Sequence, residues 1–133
     1  MLDLMNRVSF LPALAPQAAR TASANGITVD TLGYNGVCFE VQAGVITDGT
    51  HVFKLQDSPD NSVWTDVAAT YVQTPSGQTN QFTSSTTAGT IVKFGYLGVA
   101  RYVRLVSTVS GQTSGGFYTS VAALGLPINI PAT

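Results

Sequence analysis

An all-β, antiparallel sandwich with jelly-roll-like order is the fold class this sequence predicts. Apolar residues recur at every second position in short runs along much of the 133 residues. Gly, Asn and Asp break those runs at short intervals, and helical periodicity is scarce, which together favour two packed sheets. The sandwich is expected over residues 27–124, preceded by an extended N-terminal arm at residues 1–26 and followed by an extended C-terminal tail at residues 125–133.

The arm differs in composition from the rest of the chain. Leu2, Leu4, Met5, Val8, Phe10 and Leu11 are apolar, and Pro12 and Pro16 prevent any long helix. Residues 8–15 faintly resemble the apolar part of a secretory signal. Asp3, where positive charge is needed, and Pro12, inside the apolar stretch, argue against one. Such an arm is expected to lie along a surface, either of its own domain or of a neighbouring subunit.

From Ile27 the period becomes two. Ile27 and Val29 alternate with Thr28 and Asp30, and Tyr34-Asn35-Gly36 makes a turn. Val37, Phe39, Val41, Ala43 and Val45 read as one inward set, with Cys38, Glu40 and Gln42 outward. A turn at Thr47-Asp48-Gly49 leads to a strand with Phe53 and Leu55 in, Lys54 and Gln56 out. A second turn over residues 57–61 precedes extended structure at residues 63–67. The Ser-, Thr- and Gln-rich stretch 74–89 reads as loop, with a weak edge strand at residues 81–85 anchored by Phe82.

Residues 91–94 lead into the most strongly patterned strand, which starts at Arg101. There Val103, Leu105 and Val109 face one way, and Tyr102, Arg104 and Thr108 the other. No proline interrupts it, so it suits the middle of a sheet. A last strand at residues 117–124 precedes the proline-rich tail that carries Ile128 and Ile130.

Charged residues make up 10% of the chain, far below the usual quarter, and the mean hydropathy is +0.22. A surface so poor in charge suits a protein covered by copies of itself or by a partner. The net charge of -1, with six scattered Lys and Arg, argues against nucleic acid as that partner. No apolar run is long enough to span a bilayer, so no membrane partner is expected. The single cysteine, Cys38, excludes an internal disulfide.

Reactive constellations are wanting. Cys38 and His51 are the only residues of their kinds, so geometry would have to assemble a full triad from these singletons. Cys38 falls mid-strand, where cysteine is usually a small apolar group, and His51 follows a turn, an ordinary place for a solvated imidazole. Asp48, Asp57, Asp60 and Asp66 flank neighbouring turns and suggest calcium or glycosidase chemistry. Turn capping explains them more simply, since the dense Asp-x-Asp-x-Asp-Gly spacing is missing. The expectation is therefore a protein that is not an enzyme, with no cofactor, no metal and no catalytic residue. Arg101, at a strand's start, is expected to pair with a carboxylate at the rim, and Arg104 to serve as a surface or interface donor. Trp64, Tyr71 and Tyr102 are candidates for stacking on a sugar, although large rings more often serve core or interface.

Three stretches carry a family resemblance. Phe53-Lys-Leu-Gln-Asp-Ser-Pro-Asp-Asn61 with Trp64-Thr-Asp-Val67, Gly95-Tyr-Leu-Gly98 with Arg101-Tyr-Val-Arg-Leu105, and Val121-Ala-Ala-Leu-Gly-Leu-Pro127 resemble small capsid decoration (cement) proteins of tailed phages and prophages. The likeness covers residues 36–127 and leaves out the arm. It implies a jelly-roll-like sandwich on the capsid exterior of a virion, with the major capsid protein and further copies of itself, as dimer or trimer, as partners. Leu2, Leu4, Met5, Val8, Phe10, Leu11, Ile128 and Ile130 are then the candidate assembly contacts. The alternative expectation is a carbohydrate-binding virion module, a host-glycan adhesin, using Trp64, Tyr71 and Tyr102.

Overall fold

The structure, a computed structural model, describes residues 3–132. Eleven strands run in chain order: β1 (Val8–Leu14), β2 (Ala24–Asn25), β3 (Val29–Asp30), β4 (Tyr34–Ile46), β5 (Thr50–Ser58), β6 (Thr65–Asp66), β7 (Val72–Gln73), β8 (Gln81–Phe82), β9 (Ile91–Tyr96), β10 (Tyr102–Ser110) and β11 (Gly116–Pro127). They form two sheets. The first has the order β1-β11-β4-β9-β7; the second has β2-β10-β5-β6, with β3 also on β10 and β8 also on β5. Every strand pairing among the described residues is antiparallel.

The long strands alternate between sheets: β4 in the first, β5 in the second, then β9, β10 and β11 in turn. This interleaving is the jelly-roll arrangement, and it puts the chain's two terminal strands, β1 and β11, side by side. The strand that begins at Tyr102 sits between β5 and the short β2 and β3, inside its sheet as its unbroken β-branched pattern predicts.

The core lies between the sheets. Phe39, Val41, Phe94, Tyr118, Ala122 and Leu124 from the first meet Phe53, Leu55, Phe82, Val103 and Leu105 from the second. Each comes from the inward set of an alternating strand, so period-two patterning is what builds this core. Phe82 is buried as the anchor of β8.

Several expectations change. Residues 8–14 do not lie outside the sandwich: they form β1, paired to β11 from Val8↔Gly125 to Leu14↔Ser120, and Ala13 and Leu14 enter the core. Residues 24–25 likewise pair with β10. Prolines bar helix but not an edge strand, whose outer side needs no N–H. At the other end, residues 125–127 still belong to β11, so the extended tail starts later than expected.

Val45, expected inward, is exposed, and Ile46 is buried in its stead. Between Ala43↔Tyr118 and Ile46↔Gly116 the register shifts, an inserted residue that turns the side chains after it to the opposite face. Val109 is half-buried rather than a core residue. The extended stretch 63–67 contracts to the two residues of β6.

Candidate assembly surface

Asp48 accepts N–H groups of Thr113, Ser114 and Gly115, at 2.6 Å from Gly115. These donors hold its carboxyl below the usual range. Asp60 caps its own turn through the N–H groups of Ser62 and Val63 and the Ser58 hydroxyl, with the same effect. Asp57 accepts the Tyr96 hydroxyl at 2.7 Å, and that hydroxyl accepts Ala100 N–H at 3.0 Å. Burial, and then Asp57, push the Tyr96 phenol up to about 12. A side chain at Gly98 would collide with the Tyr96 hydroxyl, which explains the glycine there. Each carboxylate thus serves a separate turn or strand, and no group of three possible metal ligands occurs among the described residues.

His51 is a correction: it is fully buried, not solvated. Its Nδ1 lies 3.2 Å from the Tyr118 hydroxyl, and its Nε2 lies 3.1 Å from the Asp48 carbonyl. Ser107 Oγ lies 2.5 Å from the same hydroxyl. Arg20, also buried, donates to the carbonyls of Ala15 and Tyr118 and sits 5.1 Å over the Tyr118 ring. Burial raises the Tyr118 phenol. His51 on β5 and Ser107 on β10 belong to the second sheet, and Tyr118 on β11 to the first. The cluster therefore ties sheet to sheet, with both imidazole nitrogens engaged and no exposed atom of His51 or Ser107 for a substrate to meet.

The candidate sugar-stacking residues are not assembled into one platform. Arg104 packs 4.2 Å over Trp64 while donating twice to Gln56 Oε1, and Arg101 packs 5.0 Å over Tyr102 while gripping Asp30 through two hydrogen bonds. Both rings belong to the second-sheet side. Tyr71 precedes β7 at the edge of the first sheet, where its carbonyl accepts Leu97 N–H.

The apolar candidates do converge. Leu2 lies outside the described residues. Leu4, Met5, Phe10, Leu11, Ile128 and Ile130 are exposed, Met5 by 87% and Phe10 by 66%, and Val8 is half-buried. Because β1 starts beside the end of β11, the segment holding Leu4 and Met5 meets the tail, and Ala132 N–H donates to Asn6 O at 2.8 Å. The pairings Val37↔Leu124, Val37↔Tyr96 and Val72↔Tyr96 bring the start of β4, the end of β9 and Tyr71 to the same end. Leu32, Leu97, Val99 and Leu126, all exposed, therefore join the group.

Sequence reading missed these four because they lie in three separate segments: the β3–β4 loop, the β9–β10 loop and the end of β11. Only Leu126 carries a local mark. Its φ is 52°, a left-handed conformation that costs a non-glycine residue about 1–2 kcal/mol, and its side chain is 70% exposed. Asn35 Nδ2 donating to Leu126 O, and Ile128 N–H donating to Gly33 O, hold the bend.

The outer face of the first sheet continues this surface. Phe10, Ile91, Val121 and Ala123 line an apolar depression with Glu40, whose cross-strand partner is Lys93, and burial pushes the Glu40 carboxyl upward. Beside it, Gly36, Cys38, Gly95, Ala123 and Gly125 line a shallow groove of about 920 Å³ that runs across the strands. Small residues on adjacent strands make it: Ala123 pairs with Cys38, Cys38 with Gly95, and Gly125 with Gly36. Burial raises the Cys38 thiol, which makes it a poor nucleophile.

No protein-family model matches this chain, and neither a search of curated proteins nor one of solved structures found a match.

Proposed function

We propose that this protein is a structural virion component that decorates and cements the capsid exterior of a tailed phage, acting by contact rather than catalysis. The observation that carries this reading is the gathering of Leu4, Met5, Leu32, Leu97, Val99, Leu126, Ile128 and Ile130 at one end of the sandwich. Exposed apolar side chains scattered singly are ordinary on a soluble protein; many from different segments at one place mark a contact surface. A leucine held in a left-handed bend with its side chain outward fits such a surface, because local strain persists where function needs it. The resemblance of residues 36–127 to capsid decoration proteins supplies the partner, the major capsid protein, together with neighbouring copies of this chain. Repetition of a modest contact over a lattice supplies the avidity that one contact lacks.

The test is cosedimentation of the purified chain with shells of the phage that encodes it, stripped of this protein. Point variants serve better than truncation, since deleting residues 1–20 removes β1 and the core residues Ala13 and Leu14. Leu97→Ser combined with Leu126→Ser is expected to weaken shell binding at least about ten-fold, or 1.4 kcal/mol. Lys54→Ala, on the opposite sheet, is expected to leave it unchanged. A chain that ignores shells and binds a glycan, with binding lost on Trp64→Ala, would overturn the proposal in favour of an adhesin.

A further inference from the structure

The sandwich has four sheet edges, and among the described residues three are closed by stubs. β7 pairs with the Gly95–Tyr96 end of β9, whose Lys93 N–H and C=O bond the Gln78 side chain instead; β2 and β3, two residues each, share the outer side of β10; β6 and β8, again two each, share that of β5. Very short edge strands are a common protection against unwanted pairing. The fourth edge is β1, seven residues long and without a charged side chain. Its own safeguards, Pro12 and a register shift, lie toward its far end, where Ala13 O already accepts Ile27 N–H at 2.8 Å. Residues 8–12 remain open. Apolar groups flank them on both sides: Phe10 with Ile91 and Val121 on the outer face, Leu11 and Ile27 where the space between the sheets opens.

We infer that β1 pairs antiparallel with β1 of a second copy, about a two-fold axis at Phe10, joining two five-stranded sheets into one. Three arguments select a second copy as the occupant. The strand is neutral, so self-pairing sets no like charges opposite one another. A two-fold contact uses the same residues on both copies and consumes both free edges at once, leaving none exposed.

The proline supplies the third argument. Within a sheet, proline keeps the side that lacks an N–H toward solvent, and backbone direction alternates along a strand. Phe10, two residues from Pro12, then turns its own N–H and C=O outward. With Phe10 opposite Phe10, those groups exchange two hydrogen bonds, and each Val8 N–H meets the other copy's Pro12 carbonyl. The missing proline donor falls at the end of the ladder, where it costs least.

Backbone pairing over so few residues covers far less than the roughly 800 Å² per partner of a stable interface. The flanking Phe10, Leu11, Ile27 and Ile91 side chains have to be covered as well, and opposed aromatic pairs are among the favourable cross-strand contacts. The inference does not depend on what the apolar end binds, so it and the decoration reading can fail separately.

Sedimentation velocity on the full chain tests it. The wild type is expected to be a dimer at high micromolar concentration, and Phe10→Lys, which puts a charge on an exposed edge position, to raise the dimer dissociation constant at least about ten-fold with an unchanged circular dichroism spectrum. A second readout does not depend on that substitution. Phe10→Cys in a Cys38→Ser background is expected to form a symmetric disulfide under mild oxidant, since directly hydrogen-bonded antiparallel residues bring Cα atoms to roughly 5.5 Å. A monomeric wild type, a trimer, or failure of the Phe10→Cys chains to cross-link would overturn the inference.

Discussion

The outward faces of the two sheets are built from the same kind of alternating strand and carry opposite chemistry. On the second sheet, Lys54 and Gln56 both bond Asp66, Arg104 stacks on Trp64, and Arg101 pairs with Asp30 at the rim. On the first, Phe10, Ile91, Val121 and Ala123 line an apolar depression with Glu40, whose cross-strand partner is Lys93, next to a groove floored by glycine, alanine and cysteine. Alternation requires only that these residues leave the core; it does not require them to be apolar. The difference teaches that one face carries its own polar pairs, and the other, on the function proposed above, is the face a partner would cover.

The largest expected effect separates the core side of the first sheet from its outer side. Phe39→Ala, at a fully buried position, is expected to cost about 3–5 kcal/mol in urea unfolding through lost burial and the cavity left behind. Phe10→Ala, two strands away and outward, is expected to cost the monomer under about 1 kcal/mol while weakening dimerisation. Equal losses from both would mean that Phe10 serves the fold and that the two sides of this sheet do not differ in role.

A middling effect asks how the two sheets are tied. Tyr118→Phe strips one partner each from His51 and Ser107, both fully buried, and is expected to cost about 2 kcal/mol. Thermal unfolding is expected to stay a single transition, because the cluster joins sheets that already share one core. Two resolved transitions in the variant would show that the polar cluster, and not the apolar layer, couples the sheets.

The smallest effect is electrostatic and differs in sign between the faces. Asp66, beside Lys54 and Gln56, has its carboxyl lowered, so its contribution to stability is present above the ordinary carboxylate range and lost as pH falls through its depressed value. Glu40, raised by burial, does the reverse: stability declines as pH climbs from the ordinary value through the raised one. Glu40→Gln is therefore expected to raise stability slightly at neutral pH and to flatten the decline above the ordinary range, and Asp66→Asn to lower it slightly. Because Asp66 forms an exposed ion pair with Lys54, its effect is expected to shrink in high salt. Matching signs for the two variants in unfolding curves taken from acid to neutral pH would erase the contrast between the faces.

Much of this was legible before any contact was known. The inward sets Val37, Phe39, Val41 and Ala43, then Phe53 and Leu55, then Val103 and Leu105 follow from period two alone. The edge role of Phe82, from its place in a polar stretch, and the rim pairing of Arg101, from its place at a strand's start, were legible too, and the pairing fell to Asp30. His51 was not legible, since its burial depends on Tyr118 and Ser107, which reach it from two other strands. Nor was β1, because an uncharged run containing proline becomes a strand only when a partner offers it a register.

What the sequence determined by itself is therefore local: which stretches are extended, where they turn, and which side chains leave water, since alternation and turn chemistry act over a few residues. Tertiary structure decided what depends on long-range pairing. The shifted register between β4 and β11 turned Val45 outward, the placement of β1 beside β11 brought residues 4–5 to residues 126–130, and among the described residues the order of the sheets left the outer side of β1 without a partner strand. Hydrogen bonds between strands are indifferent to side-chain identity, so register and neighbour are chosen by the whole core at once and cannot be read from any one stretch.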